Sequence, residues 1–250
     1  MSWGPLLDDL LAEWAELDGF LDGVDLDTPT PAEGWTIADQ LGHLAYYDEM
    51  EALALGDPDG FRSEVAALLA SGDLADFGDI HRSRDDEVRG WLAAARAAMV
   101  AAFQEHDPKD RLPWYGPDMS ARSAATARLM ETWAHGQDVA DALGIERVPT
   151  DRLRHVAHLG VVTFGWSFLN RGETPPPVAP RVDLIGPSGD TWTWNEDGDG
   201  SVAGPAHDFC LLVTQRAPRA SLSLVTQGET ADKWLDIAQA FAGPATDNRT

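Results

Sequence analysis

Apolar residues recur every three or four positions through most of the first 170 residues, then switch to alternation. Between residues 5 and 21, Leu6, Leu7, Leu10, Leu11, Trp14, Leu17 and Leu21 form the stripe of an amphipathic helix. A loop rich in Asp, Thr and Pro (Asp25 to Gly34) precedes a second helix, which Thr36 is placed to cap with Asp39 three residues on. That helix runs through Leu41, His43, Leu44 and Tyr47 to about Leu55, where Gly56-Asp57-Pro58 stops it. Residues 59–71 are expected to form a short covering helix. Residues 85–104 form a third long one, with Val88, Trp91, Leu92, Ala95, Met99 and Phe103 inward. Three prolines between Asp107 and Met119 predict an irregular connection carrying Trp114 and Tyr115. A fourth helix spans 123–143 and ends at Gly144, a left-handed cap. A further helix is expected over 150–170. Four main helices with one long crossover predict a bundle over residues 1–172.

The pattern changes at Arg171, where a proline-rich stretch to Pro180 reads as a stiff linker. Beyond it, Val182–Ile185 and Thr191–Trp194 alternate and flank Pro187-Ser-Gly-Asp190, the signature of a hairpin. A strand at Ser201–Ala203, a helix over 205–215, a strand over 221–225 and a last helix over 230–241 complete a small domain at 181–250. The fold class expected is α+β, a helical bundle followed by a small α+β domain.

Charge narrows the functions. With 42 acidic and 18 basic residues the formal net charge is −24. Such a surface repels phosphate backbones and anionic lipid heads, so neither nucleic acid nor a membrane is an expected partner. No apolar run reaches the ~18 residues of a membrane-spanning helix. The N-terminal residues lack the basic start and apolar stretch of a signal peptide. One cysteine, Cys210, excludes an intramolecular disulfide and fits a reducing compartment, so the cytoplasm is the expected location. A monomer or a homodimer is expected.

Glu131 and His135, four apart on a helix, project from one face and suit two ligands of a single metal ion. His43, flanked by apolar residues in mid-helix, is positioned to supply a third. Three such ligands leave room for water or substrate, as catalytic rather than closed structural sites do. The same spacing also suits a helix-surface ion pair, and core histidines are often simply hydrogen-bonded; spacing leaves both open. Two histidines and a carboxylate accept zinc, nickel, iron or manganese. Asp138, one turn beyond His135, is a candidate to orient a ligand histidine. Arg216 is the candidate catalytic residue, a guanidinium fork for a carboxylate of substrate or thiol. Trp114, Tyr115, Met119 and Arg122 are candidates to line the pocket mouth. Cys210, in an apolar helix run, reads as a buried structural thiol. His81, Arg82, His155, His158 and His207 are expected to serve structural or solvent roles.

Trp35-Thr-Ile-Ala-Asp-Gln-Leu-Gly-His43 and Met130-Glu-Thr-Trp-Ala-His135-Gly-Gln-Asp138 resemble the DinB-like superfamily, specifically the mycothiol-dependent maleylpyruvate isomerase family of actinobacteria. There, Gly-Trp-Thr-x-x-Asp-x-x-x-His supplies the first metal ligand and Glu-x-x-x-His-x-x-Asp the other two, which fall here on His43, Glu131 and His135. The stretch from Val202 to Arg216 is similar to the family's second-domain pattern, except that Gln215 stands where a glycine is usual. The resemblance implies a DinB-like bundle, a divalent ion (usually zinc) and mycothiol as cofactor, with Trp114, Tyr115 and Arg122 the candidates for its binding. It also implies an isomerase or S-transferase acting on a small electrophilic metabolite through a metal-bound thiolate. A hydrolase or lyase using metal-activated water, or a non-catalytic binding protein on this scaffold, is the alternative.

Overall fold

The amphipathic stripes of the first half of the chain become helices with their apolar sides buried. The structure, a computed structural model, describes residues 3–71 and 87–246; His81 and Arg82 lie outside them. Helices α1 (Leu6–Phe20), α2 (Ile37–Gly56), α3 (Pro58–Ser71), α4 (Val88–Glu105) and α5 (Ala121–Leu143) occupy the first of two compact units, which ends at Glu146. α2 lies between α4 and α5, α1 packs on α5, and α3 covers α2. Leu17, Leu21, Ile37, Leu41, Leu44, Ala45, Leu92 and Val139 meet in one apolar cluster. Among the described residues no helix is long and apolar enough to cross a membrane.

Two helix ends matter for the site because they set where α2 and α5 begin. Thr36 caps α2 reciprocally: its hydroxyl accepts from the Asp39 amide while the Asp39 carboxylate accepts from the Thr36 amide. Ser120 caps α5 by accepting from the Ser123 amide. At its far end α5 stops at Gly144, with φ 65°, as expected of a left-handed cap. The connection before α5 is less irregular than its prolines suggest, since β1 (Arg111–Leu112) pairs antiparallel with β2 (Met119–Ser120).

The second unit begins at Arg147. The single helix expected over 150–170 is two, α6 (Leu153–Val162) and α7 (Phe164–Leu169). They part at Thr163, whose hydroxyl donates to the Leu159 and Gly160 carbonyls and so competes with the helix ladder. Both belong with the strands rather than with the bundle, so packing divides the chain near 146, whereas the sequence pattern divides it at the proline stretch. Gly160 shows why: a Cβ there would stand 2.8 Å from Val213 and 3.0 Å from Phe209, so α6 lies directly on α8 (Ala206–Val213). Phe164 in turn packs edge-on against Trp234 of α9 (Glu229–Ile237).

The sheet beneath them has the order β4-β3-β5-β6, with β3 (Arg181–Ile185) antiparallel to β4 (Thr191–Trp194) and parallel to β5 (Ser201–Pro205). The hairpin is where the sequence predicts it. β6 (Val225–Gln227) starts later than the strand expected over 221–225, because Arg219–Ser221 coil into a 3-10 turn.

Candidate metal centre

The centre is built on two helices of the first unit. α2 supplies His43, and α5 supplies Glu131 and His135 one turn apart. One ligand atom from each lies within 4.8 Å of the others. His135 Nε2 is 3.2 Å from Glu131 Oε2, and His43 Nε2 is 3.9 Å from the same oxygen. Ligands of a tetrahedral zinc ion at ordinary bond lengths stand ~3.3 Å apart, so the three donors are spaced to close on one cation. The imidazole rings are 4.5 Å apart, and Trp35 stacks on His135 at 5.9 Å and 15°.

A hydrogen-bond relay selects the tautomer of His135. The Thr30 hydroxyl donates to the Trp35 carbonyl, 3.0 Å away. It therefore accepts from Gln40 Nε2 at 2.8 Å, which fixes the amide with Oε1 facing His135 Nδ1 in a short contact. Nδ1 must carry the proton, so in the neutral ring Nε2 presents a lone pair. That lone pair faces a carboxylate oxygen, acceptor against acceptor, and only a proton or a metal cation between them resolves the clash. An outer partner of this type on a ligand histidine is what metal sites use to orient the ring. The donor set therefore fits a divalent ion.

Electrostatics agree. Burial, with His135 next to it, pushes the His43 imidazole down to about 4, so it is neutral at physiological pH. Burial works against the Glu131 carboxylate, but the neighbouring His135 and His43 outweigh it and hold the group well below its ordinary value. A neutral His43 imidazole and an ionised Glu131 carboxylate are the protonation states that ligation requires of those two groups.

An aromatic wall runs from the centre. Tyr47 lies 4.7 Å from His43, Tyr115 is 5.8 Å from Tyr47, and Trp114 is 6.4 Å from it. Trp114 stacks on Phe61 at 5.6 Å and 9°, and the Tyr46 and Tyr115 hydroxyls are 3.2 Å apart. Of the residues the sequence singles out for the pocket mouth, Trp114 and Tyr115 thus join the surroundings of the triad. Met119 lies in β2 and is half-buried. Arg122 is exposed on the first turn of α5, with its guanidinium 3.5 Å from the Trp3 carbonyl and roughly 13 Å along the helix from Glu131.

Asp138 is fully buried on α5. The Oε1 facing His135 Nδ1 is that of Gln40, a residue the sequence reading passes over. Arg216 belongs to the second unit, half-buried just after α8, where it donates to the Thr214 carbonyl at 2.6 Å. In the same unit, His158 Nδ1 accepts from Trp194 Nε1 at 3.3 Å. Cys210 is fully buried, its thiol pushed well up by burial and directed at the Leu153 carbonyl. Sequence reasoning also missed Asp48, Glu51 and Arg128, all buried in the bundle. A signal was available: Leu44, Asp48, Glu51 and Leu55 follow helical spacing, so the two acids sit within the inward stripe of α2.

The family described as the mycothiol maleylpyruvate isomerase N-terminal domain matches residues 10–140, which include all three candidate ligands and lie within the first unit. The chain is 45% identical over 256 residues to an uncharacterized protein found in two strains of Mycobacterium tuberculosis, with 96% of each chain covered. Among solved structures, the mycothiol-dependent maleylpyruvate isomerase superposes with a TM-score of 0.53 at 16% identity. A histidine-to-alanine mutant of that enzyme gives 0.55 at 15% identity, and both cover 92% of this chain and 94% of the other. Identities this low carry the fold alone. The family match, spanning just over half the chain, carries more: this chain belongs to the mycothiol maleylpyruvate isomerase N-terminal domain family.

Proposed function

We propose that this chain is a metal- and thiol-dependent enzyme, an isomerase or S-transferase that uses mycothiol on a small electrophilic metabolite. The observation that carries the reading is the triad: three donors on two helices, with the His135 tautomer set by Gln40 so that its free nitrogen faces Glu131. Family membership and the names of the structural neighbours support the choice of thiol. A divalent ion held by His43, Glu131 and His135, zinc in the first instance, would supply a Lewis acid that keeps a bound thiol ionised at neutral pH.

The protein's own residues do the rest. Burial keeps His43 unprotonated and available as a donor. Gln40 orients His135, and Trp35 covers its ring. Trp114 and Tyr115, braced by Phe61, offer an apolar surface that excludes water from the reacting carbon and contacts the thiol. Arg122 adds a positive charge for that cofactor. The location proposed is the cytoplasm.

The test is metal analysis of the purified protein beside His43→Ala and His135→Ala, followed by calorimetric titration with mycothiol. About one metal per chain, lost in both variants, with thiol binding that needs the metal, is the expected result. Metal retained in both variants would sink the reading. Turnover of an electrophile without any thiol would replace it with water-based chemistry.

A further inference from the structure

We propose that Arg128 is a positioning residue for this centre: one buried guanidinium fixes α5, which carries Glu131 and His135, against α2, which carries His43. The proposal rests on the metal-binding reading above. Arg128 stands one turn before Glu131 on α5 and is 3% exposed. Its Nε donates to Asp48 Oδ1 at 2.8 Å, and its Nη2 donates to the Leu44 carbonyl at 3.3 Å. The guanidinium carbon also lies 5.9 Å from the centre of the Tyr47 ring, and that ring lies 4.7 Å from His43. All three contacts fall on residues 44, 47 and 48, the turn that follows His43 on α2.

The geometry makes Arg128 a register clasp. Apolar contacts between helices tolerate small slides, whereas a forked donor on a fixed carboxylate and a fixed carbonyl does not. The ligand atoms on the two helices are separated by 3.9 Å between His43 and Glu131. A slide of one residue rise, about 1.5 Å, would change that separation by a large fraction and open the donor set. A buried ion pair is a poor source of stability, since apolar side chains of similar volume often replace one without loss. What such a replacement forfeits is the register, and the metal reports on the register.

The experiment uses the full chain with cobalt(II) as the probe, reading its dissociation constant and its visible absorption bands, which sense coordination geometry. Three variants are compared with the wild type: the double replacement Arg128→Met with Asp48→Leu, the isosteric Asp48→Asn, and Arg96→Met. Arg96 is a control of similar burial, paired with Asp18 at 2.7 Å on helices that carry no ligand, and it reaches Asp48 through its charge and not through a fork on α2. The double variant is expected to melt near the wild-type temperature yet bind cobalt at least ~10-fold more weakly, with displaced bands. Asp48→Asn is expected to shift the bands in the same sense and weaken binding several-fold, and it decides the matter should the double variant not fold. Arg96→Met is expected to lower the melting temperature and leave affinity and spectrum alone. Wild-type affinity and bands in the double variant or in Asp48→Asn would overturn the proposal, as would equal perturbation by Arg96→Met. A wild-type chain whose cobalt binding is indifferent to His43→Ala would instead fail the metal reading beneath it.

Discussion

Glu51 offers a direct test of the electrostatics inside the bundle. It lies on α2 in the inward stripe, is 1% exposed, and its Oε1 has no hydrogen-bond partner among the described residues. Burial raises its carboxyl from an ordinary 4.5 to about 8, partly offset by Arg128 and reinforced by Asp48. The folded state thus holds a proton that the unfolded chain releases at lower pH. Stability from this group is fully present below pH 4.5, falls as pH rises, and is lost once the folded carboxyl ionises near 8. At 1.36 kcal/mol per unit, the loss across that window is on the order of 5 kcal/mol as an upper bound. Glu51→Gln keeps the shape and cannot ionise, so its stability relative to wild type should grow with pH: near zero at pH 4.5, several kcal/mol in favour of the variant by pH 8.5. Urea unfolding of both proteins at a series of pH values reads the difference directly, since the other titrating groups cancel. A difference that stays flat between pH 4.5 and 8.5 would refute the reasoning, because it would mean that Glu51 is ionised and paired in the folded protein.

Further expectations concern single contacts. Gln40→Leu removes the oxygen that sets the His135 tautomer and should weaken cobalt binding ~10- to 100-fold without unfolding the bundle, as calorimetry would show. Gly160→Ala should lower stability by about 1–3 kcal/mol in denaturant melts, since the new methyl meets Val213 and Phe209 at 3.0 Å or less. Gln215 adopts φ 60° yet donates to the Ala238 and Thr246 carbonyls and accepts from the Thr246 hydroxyl. Gln215→Ala keeps the left-handed strain and loses the bonds, so it should melt below both wild type and Gln215→Gly; an alanine variant as stable as the glycine one would contradict this.

The parts of the fold legible in the sequence were those specified locally. Stripes at helical spacing, the Thr36–Asp39 cap, Gly144 and the hairpin around Pro187–Asp190 each act through neighbours a few residues away, and each lies where the pattern predicts. The departures have a common cause. The break at Thr163 and the grouping of α6 and α7 with the sheet depend on what α6 packs against, and Gly160 signals close approach without naming its partner, Val213, some fifty residues on. Gln215 carries a related lesson: it occupies a backbone conformation that suits glycine, the residue the family pattern has there, and its side-chain bonds offset the strain of the replacement.

The centre divides along the same line. Glu131 and His135 are related by helical spacing, and the motif around His43 adds the third residue, so the set of three that the fold brings together is readable before any fold is known. Gln40, Asp48 and Arg128 are not readable in this way, because their roles exist only once α2 and α5 are rotated face to face; Gln40 and His135 are 95 residues apart, and Asp48 and Arg128 are 80 apart. Polar residues inside an apolar stripe are nevertheless a mark the sequence bears openly. Burying Gln40, Asp48 and Glu51 on one helix costs free energy unless each finds a partner or stays neutral. Gln40 and Asp48 find partners on α5, and Glu51 keeps its proton. The helix that bears one of the three proposed ligands therefore also bears the groups that orient and align the other two, which is why substitutions on α2 away from His43 are expected to register in metal binding.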